Sequence, residues 1–100
     1  MAAEAGFAYE IQYTKAAEMF FRQHEDVRIA YEDSIKELLF GEHPEKIDVK
    51  RIKGKRSTYF RIRLGGVRVV YTVINGKIVV ISTLLAGARG DVYKKMSGLK

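Results

Sequence analysis

Tyr59-Phe60-Arg61-Ile62-Arg63-Leu64-Gly65-Gly66-Val67-Arg68-Val69-Val70-Tyr71 is the stretch whose reading decides the fold. Its first six residues alternate with period two, as a half-buried strand does. Gly65-Gly66 then supplies the backbone freedom of a two-residue hairpin turn, and Val67 to Ile74 returns as the next strand. Such a turn pairs Leu64 with Val67, Arg63 with Arg68, Ile62 with Val69, and Phe60 with Tyr71. Side chains two apart share a face. Phe60, Ile62, Leu64, Val67, Val69 and Tyr71 therefore form an apolar face, and Arg61, Arg63 and Arg68 project from the other. Like charges opposed across a ladder are unfavourable. Three arginines placed this way point to a guanidinium cluster that closes on phosphate, whose oxygens match the planar fork of arginine.

Outward from this hairpin, Asn75-Gly76 predicts a second tight turn, and Lys77 to Leu84 a third strand of the meander. Lys50 to Lys53 predicts a further strand before it. The N-terminal half has a different period. Tyr9 to Tyr13 alternates as a first strand, and Thr14 can cap a helix with Ala17, Phe20 and Phe21 on its apolar side. Asp26 can cap a second helix with a stripe of Val27, Ala30, Tyr31, Ser34 and Leu38, stopped by Gly41 and Pro44. The expected architecture is one α+β domain over residues 1–100. In it an N-terminal strand and helical hairpin pack on one face of an antiparallel sheet, and a short C-terminal turn or helix follows.

Charge is divided as sharply as periodicity. Residues 1–48 hold 11 of the 12 Asp/Glu, whereas residues 49–100 hold 13 of the 18 Lys/Arg and only Asp91 as a carboxylate. Lys50, Arg51, Lys53, Lys55, Arg56 and the three strand arginines crowd into a stretch without counter-charge. A polyanion relieves such repulsion and releases its condensed counterions on binding. Lys50, Arg51, Lys53, Lys55 and Arg56 are the expected contacts for such a polyanion, RNA among them. The absence of Cys removes disulfides and thiolate zinc sites. His24 and His43, far apart in the helical half, do not suggest a metal site, so neither metal nor cofactor is expected. No long apolar run suggests a membrane span or targeting segment, and a cytoplasmic protein is expected.

The sequence resembles the RelE/ParE superfamily of bacterial and archaeal type II toxins. The matching residues are Ile52-Lys53-Gly54, Tyr59-Phe60-Arg61-Ile62-Arg63, Val67-Arg68-Val69-Val70-Tyr71 and Gly87-Ala88-Arg89-Gly90-Asp91-Val92-Tyr93. The resemblance implies a RelE-like fold and a ribosome-dependent endoribonuclease of messenger RNA, with Arg61, Arg63, Arg68, Arg89 and Tyr93 as its catalytic set. It implies a cognate acidic antitoxin as partner, and operator DNA as a partner only through that antitoxin. At Ala88 the chain departs from the many relatives that carry His before the Arg. Two alternatives stay open: a ParE-like inhibitor of DNA gyrase, and a catalytically impaired member that only binds its antitoxin.

Overall fold

The computed structural model describes residues 8–54 and 57–96. Its strands are β1 (Tyr9–Tyr13), β2 (Val49–Lys53), β3 (Thr58–Leu64), β4 (Val67–Asn75) and β5 (Val79–Ala88), in the spatial order β1-β5-β4-β3-β2. The β3–β4 hairpin has the register that alternation requires, with Leu64 opposite Val67, Arg63 opposite Arg68, Ile62 opposite Val69 and Phe60 opposite Tyr71. Gly65 has φ +63°, a conformation that side-chain-bearing residues avoid, at the first central position of the turn. Gly54 is required for a different reason. A Cβ there would lie 2.7 Å from the Tyr59 ring and 2.8 Å from the Ser57 carbonyl oxygen.

Helices α1 (Lys15–Arg22) and α2 (Glu25–Phe40) cover the apolar face, joined through residues 23–24. Ala17, Phe21, Tyr31, Ile35, Ile62, Val69, Tyr71 and Ile81 form the main core between them and the sheet. Two details differ from the sequence expectation. Asp26 does not cap α2. The helix starts two residues earlier than that cap implies, with His24 at its N-cap position making no side-chain bond because its ring stacks on Phe20, 4.2 Å between centroids. Glu25 and Asp26 instead place negative charge in the first turn, where the helix dipole favours it. The buried stripe includes Ile35 and leaves Ala30 exposed.

The sheet is not wholly antiparallel, because β1 runs parallel to β5 at its edge. Asn75-Gly76 is not a two-residue turn either. Asn75 pairs with Val79, leaving residues 76–78 as the loop, and β5 starts at Val79 rather than Lys77. A two-residue loop would have turned Ile81 and Thr83 away from the helices. Their burial, and the 2.7 Å hydrogen bond between the Tyr31 and Thr83 hydroxyls, fix the register against the preference of the turn dipeptide.

A β-bulge follows from the same strand. Val70 faces Leu85 but Tyr71 faces Thr83, so Leu84 is the extra residue. Thr14 fastens this point. Its backbone N–H donates to Thr83 O at 2.9 Å, its hydroxyl donates to Leu84 O at 2.7 Å, and the same hydroxyl accepts from Ala17 N–H at 3.2 Å. The bulge brings Leu84 and Leu85 together into a second core on the other face, with Tyr59, Val70 and Ile52. The apolar side of α3 (Arg89–Met96), Val92 and Met96, closes it. These two residues lie four apart and so share one side of the helix.

Thr14→Ala removes both the cap and the tie to the bulge and should cost about 1–2 kcal/mol in urea unfolding. An unchanged midpoint would show that the bulge does not depend on this hydroxyl. Burial pushes the Tyr71 phenol up to about 12, and that of Tyr31 further. A raised folded-state value stabilises the fold in full below pH 10, the ordinary phenol value, and that contribution is lost as pH rises through 12. Melting temperature should therefore fall between pH 10 and 12, and less steeply in Tyr71→Phe.

Candidate functional site

The face opposite the helical hairpin carries Lys50 from β2, Arg61 and Arg63 from β3 and Arg68 from β4. The ladder sets Lys50 opposite Arg61 and Arg63 opposite Arg68. All three arginines share this face, as alternation predicts. The face is not an open plain, however. Helix α3 lies over the part nearest Val70 and Leu85, and Arg61 and Arg68 are each only 9% exposed. Arg63, toward the turn, remains exposed.

The buried guanidinium groups are incompletely bonded. Arg68 Nη1 donates to the Gly65 carbonyl at 3.2 Å, but the Nε atoms of Arg68 and Arg61 are both enclosed without a hydrogen-bond partner. A buried donor left unmade costs on the order of 1–3 kcal/mol. One carboxylate approaches the cluster, a feature that sequence reading missed. Asp48 lies 3.7 Å from Arg61 Nη1 and 4.0 Å from Arg63 Nη1, and its backbone carbonyl accepts the Arg63 N–H at 2.9 Å. The signal was the β2–β3 register: with Val49 opposite Ile62, the preceding residue falls opposite Arg63. One carboxylate against three guanidinium groups and Lys50 leaves the face strongly positive.

Beside Arg61 the sheet and α3 enclose a groove of about 410 Å³, lined by Lys50, Arg51, Ile52, Arg61, Tyr93 and Met96. Its lining joins the apolar Ile52 and Met96 to the cations Lys50, Arg51 and Arg61, and the Tyr93 ring is 43% exposed. Arg89, one turn before Tyr93 in α3, holds its guanidinium carbon 5.9 Å from that ring's centroid. Arg89 is exposed and is not among the residues that line the groove. Lys53 does not line the groove either. Lys55 and Arg56 lie outside the described residues. Among the described residues, no three His, Cys, Asp or Glu gather as a metal-ligand group, and no helix is long and apolar enough to cross a membrane.

Among solved structures, a chain of the crystal structure of the RelB–RelE antitoxin–toxin complex from Methanococcus jannaschii matches this fold. The TM-score is 0.51 at 22% sequence identity, covering 84% of this chain and 96% of that one. The fold is RelE-like. No protein-family model matches the sequence, and no curated protein matches it.

Replacing Arg68 by Met removes a buried, under-bonded charge while keeping an aliphatic stem against the sheet. Arg68→Met should melt higher than the parent, by on the order of 1 kcal/mol of added stability. A variant that melts lower would mean that the arginine is a net support of the fold.

Proposed function

We propose that this chain is the toxin of a type II toxin–antitoxin pair, acting in the cytoplasm as an endoribonuclease that cleaves messenger RNA on the ribosome without a metal ion. The observation that carries this reading is the pair of buried guanidinium groups with unpartnered Nε atoms on a face depleted of carboxylates. Folding alone gives no reason to hold two such groups there. A phosphodiester supplies the missing acceptors and compensates the charge. The RelE-like fold adds the precedent of a toxin held in complex with an antitoxin.

The chemistry follows from what arginines can and cannot do. They are poor bases at neutral pH but strong donors to a phosphate that gains charge. RNA brings its own nucleophile. The 2′-oxygen attacks the adjacent phosphorus in line, the bond to the 5′-oxygen breaks, and a 2′,3′-cyclic phosphate and a 5′-hydroxyl remain. The 2′-hydroxyl gives up its proton and the leaving oxygen gains one. Arg61, Arg63 and Arg68 hold the phosphate and stabilise the added charge of the phosphorane, each well-placed donor contributing ~3 kcal/mol. Tyr93 stacks on a neighbouring base in the groove beside Arg61, and Arg89 supports that ring and neutralises the flanking backbone. Lys50 and Arg51 contact phosphates along the groove wall. The ribosome supplies the remaining positioning of a flexible chain.

An acidic, partly disordered antitoxin complements the same basic surface. A second groove of about 620 Å³ gives such a chain apolar anchorage. It runs between α1 and the end of the β4–β5 hairpin, where Met19, Phe20, Val67 and Ala86 line it. Operator DNA is then met only through the antitoxin.

Primer extension on messenger RNA after incubation with translating ribosomes tests the reading. The parent should produce cuts within codons, and Arg68→Met should cut about 100-fold more slowly while remaining folded. Intact transcripts with blocked gyrase supercoiling would instead support a ParE-like inhibitor.

A further inference from the structure

Asp48 is the one described carboxylate paired with the arginine face, and its contacts are those of an occupant rather than of a structural ion pair. Its two oxygens address two different arginines, Oδ1 toward Arg61 and Oδ2 toward Arg63, at 3.7 and 4.0 Å. Both separations exceed hydrogen-bond distance, so the guanidinium groups are attracted without being saturated. The side chain is 53% exposed, so leaving would cost it little. What fixes the residue is its backbone, through the carbonyl bonded to Arg63 N–H at the head of β2. A carboxylate set loosely between two forks occupies the place of a bridging phosphate.

We propose that Asp48 acts as an internal phosphate surrogate. In the free protein it holds Arg61 and Arg63 spaced for an anion, and it competes with any phosphate that arrives. A single phosphate gains little by displacing it, because one anion replaces another on the same two donors. A polynucleotide gains more, because it also brings phosphates to Lys50 and Arg68 and a base to Tyr93. Asp48 is thus a positioning and selectivity residue that favours a chain of phosphates over isolated anions. This inference rests on the arginine face being the RNA site.

The test is fluorescence anisotropy with a fully 2′-O-methylated single-stranded RNA, which cannot be cleaved, titrated over a range of salt concentrations. The proteins are the parent, Asp48→Asn, Asp48→Ser and Arg68→Met, each checked for folding by circular dichroism. Both Asp48 variants should bind on the order of tenfold tighter than the parent at low salt, with a log–log salt slope steeper by about 0.7, the increment of one added phosphate on a single strand. Equal or weaker binding by folded Asp48 variants, with the parent still binding better than Arg68→Met, would overturn the surrogate role alone. Equal binding by the parent and Arg68→Met would overturn the arginine face as the RNA site, and this inference with it.

Discussion

Arg63 faces Arg68 because a two-residue turn at Gly65-Gly66 leaves no other register, and the rest of the structure answers to that juxtaposition. One side of the hairpin becomes continuously apolar and seats α1 and α2. The other collects guanidinium groups that repel one another. Nothing in the pairing itself relieves the repulsion. Relief comes partly from Asp48, partly from the Gly65 carbonyl, and for the two Nε donors from nothing described in the chain.

The second core covers part of this arginine face. The Leu84 bulge, tied to Thr14, gathers Leu84 and Leu85 beneath α3, and Val92 and Met96 press the helix onto the sheet next to Arg61 and Arg68. Covering the arginines lowers the dielectric around them, which raises the penalty of unmade bonds and strengthens any bond later made to a phosphate. On the proposed function, stability and recognition pull on the same atoms in opposite directions. A fold selected for stability alone would place aliphatic side chains at these two positions.

Which parts of this were legible in the sequence follows from the range of the interactions involved. Alternation and a diglycine turn are local, so the β3–β4 register and the division of Phe60, Ile62 and Val69 from Arg61, Arg63 and Arg68 could be read directly. Helical spacing likewise placed Ala17, Phe21 and Tyr31. The errors lie where distant residues decide. The Tyr31–Thr83 bond, between residues 52 apart, overrules Asn75-Gly76. The parallel seat of β1 beside β5 and the bulge at Leu84 depend on partners about 70 residues away. The site was read in the same uneven way. Its arginines were placed by the hairpin, and Tyr93 came to Arg61 only because α3 folds back. Asp48 escaped notice because it stands one residue before the carboxylate-free stretch.

The central claim is that Arg61 and Arg68 hold buried donors in reserve for a phosphate chain. Nitrogen-15 NMR of the arginine Nε–H groups, assigned by Arg61→Lys and Arg68→Lys, observes those donors directly. On titration with 2′-O-methylated RNA, both Nε–H resonances should move downfield to positions typical of phosphate-bonded arginine and exchange more slowly with water. Resonances that stay in place while RNA binds elsewhere, or that are already hydrogen-bonded in the free protein, would contradict the account.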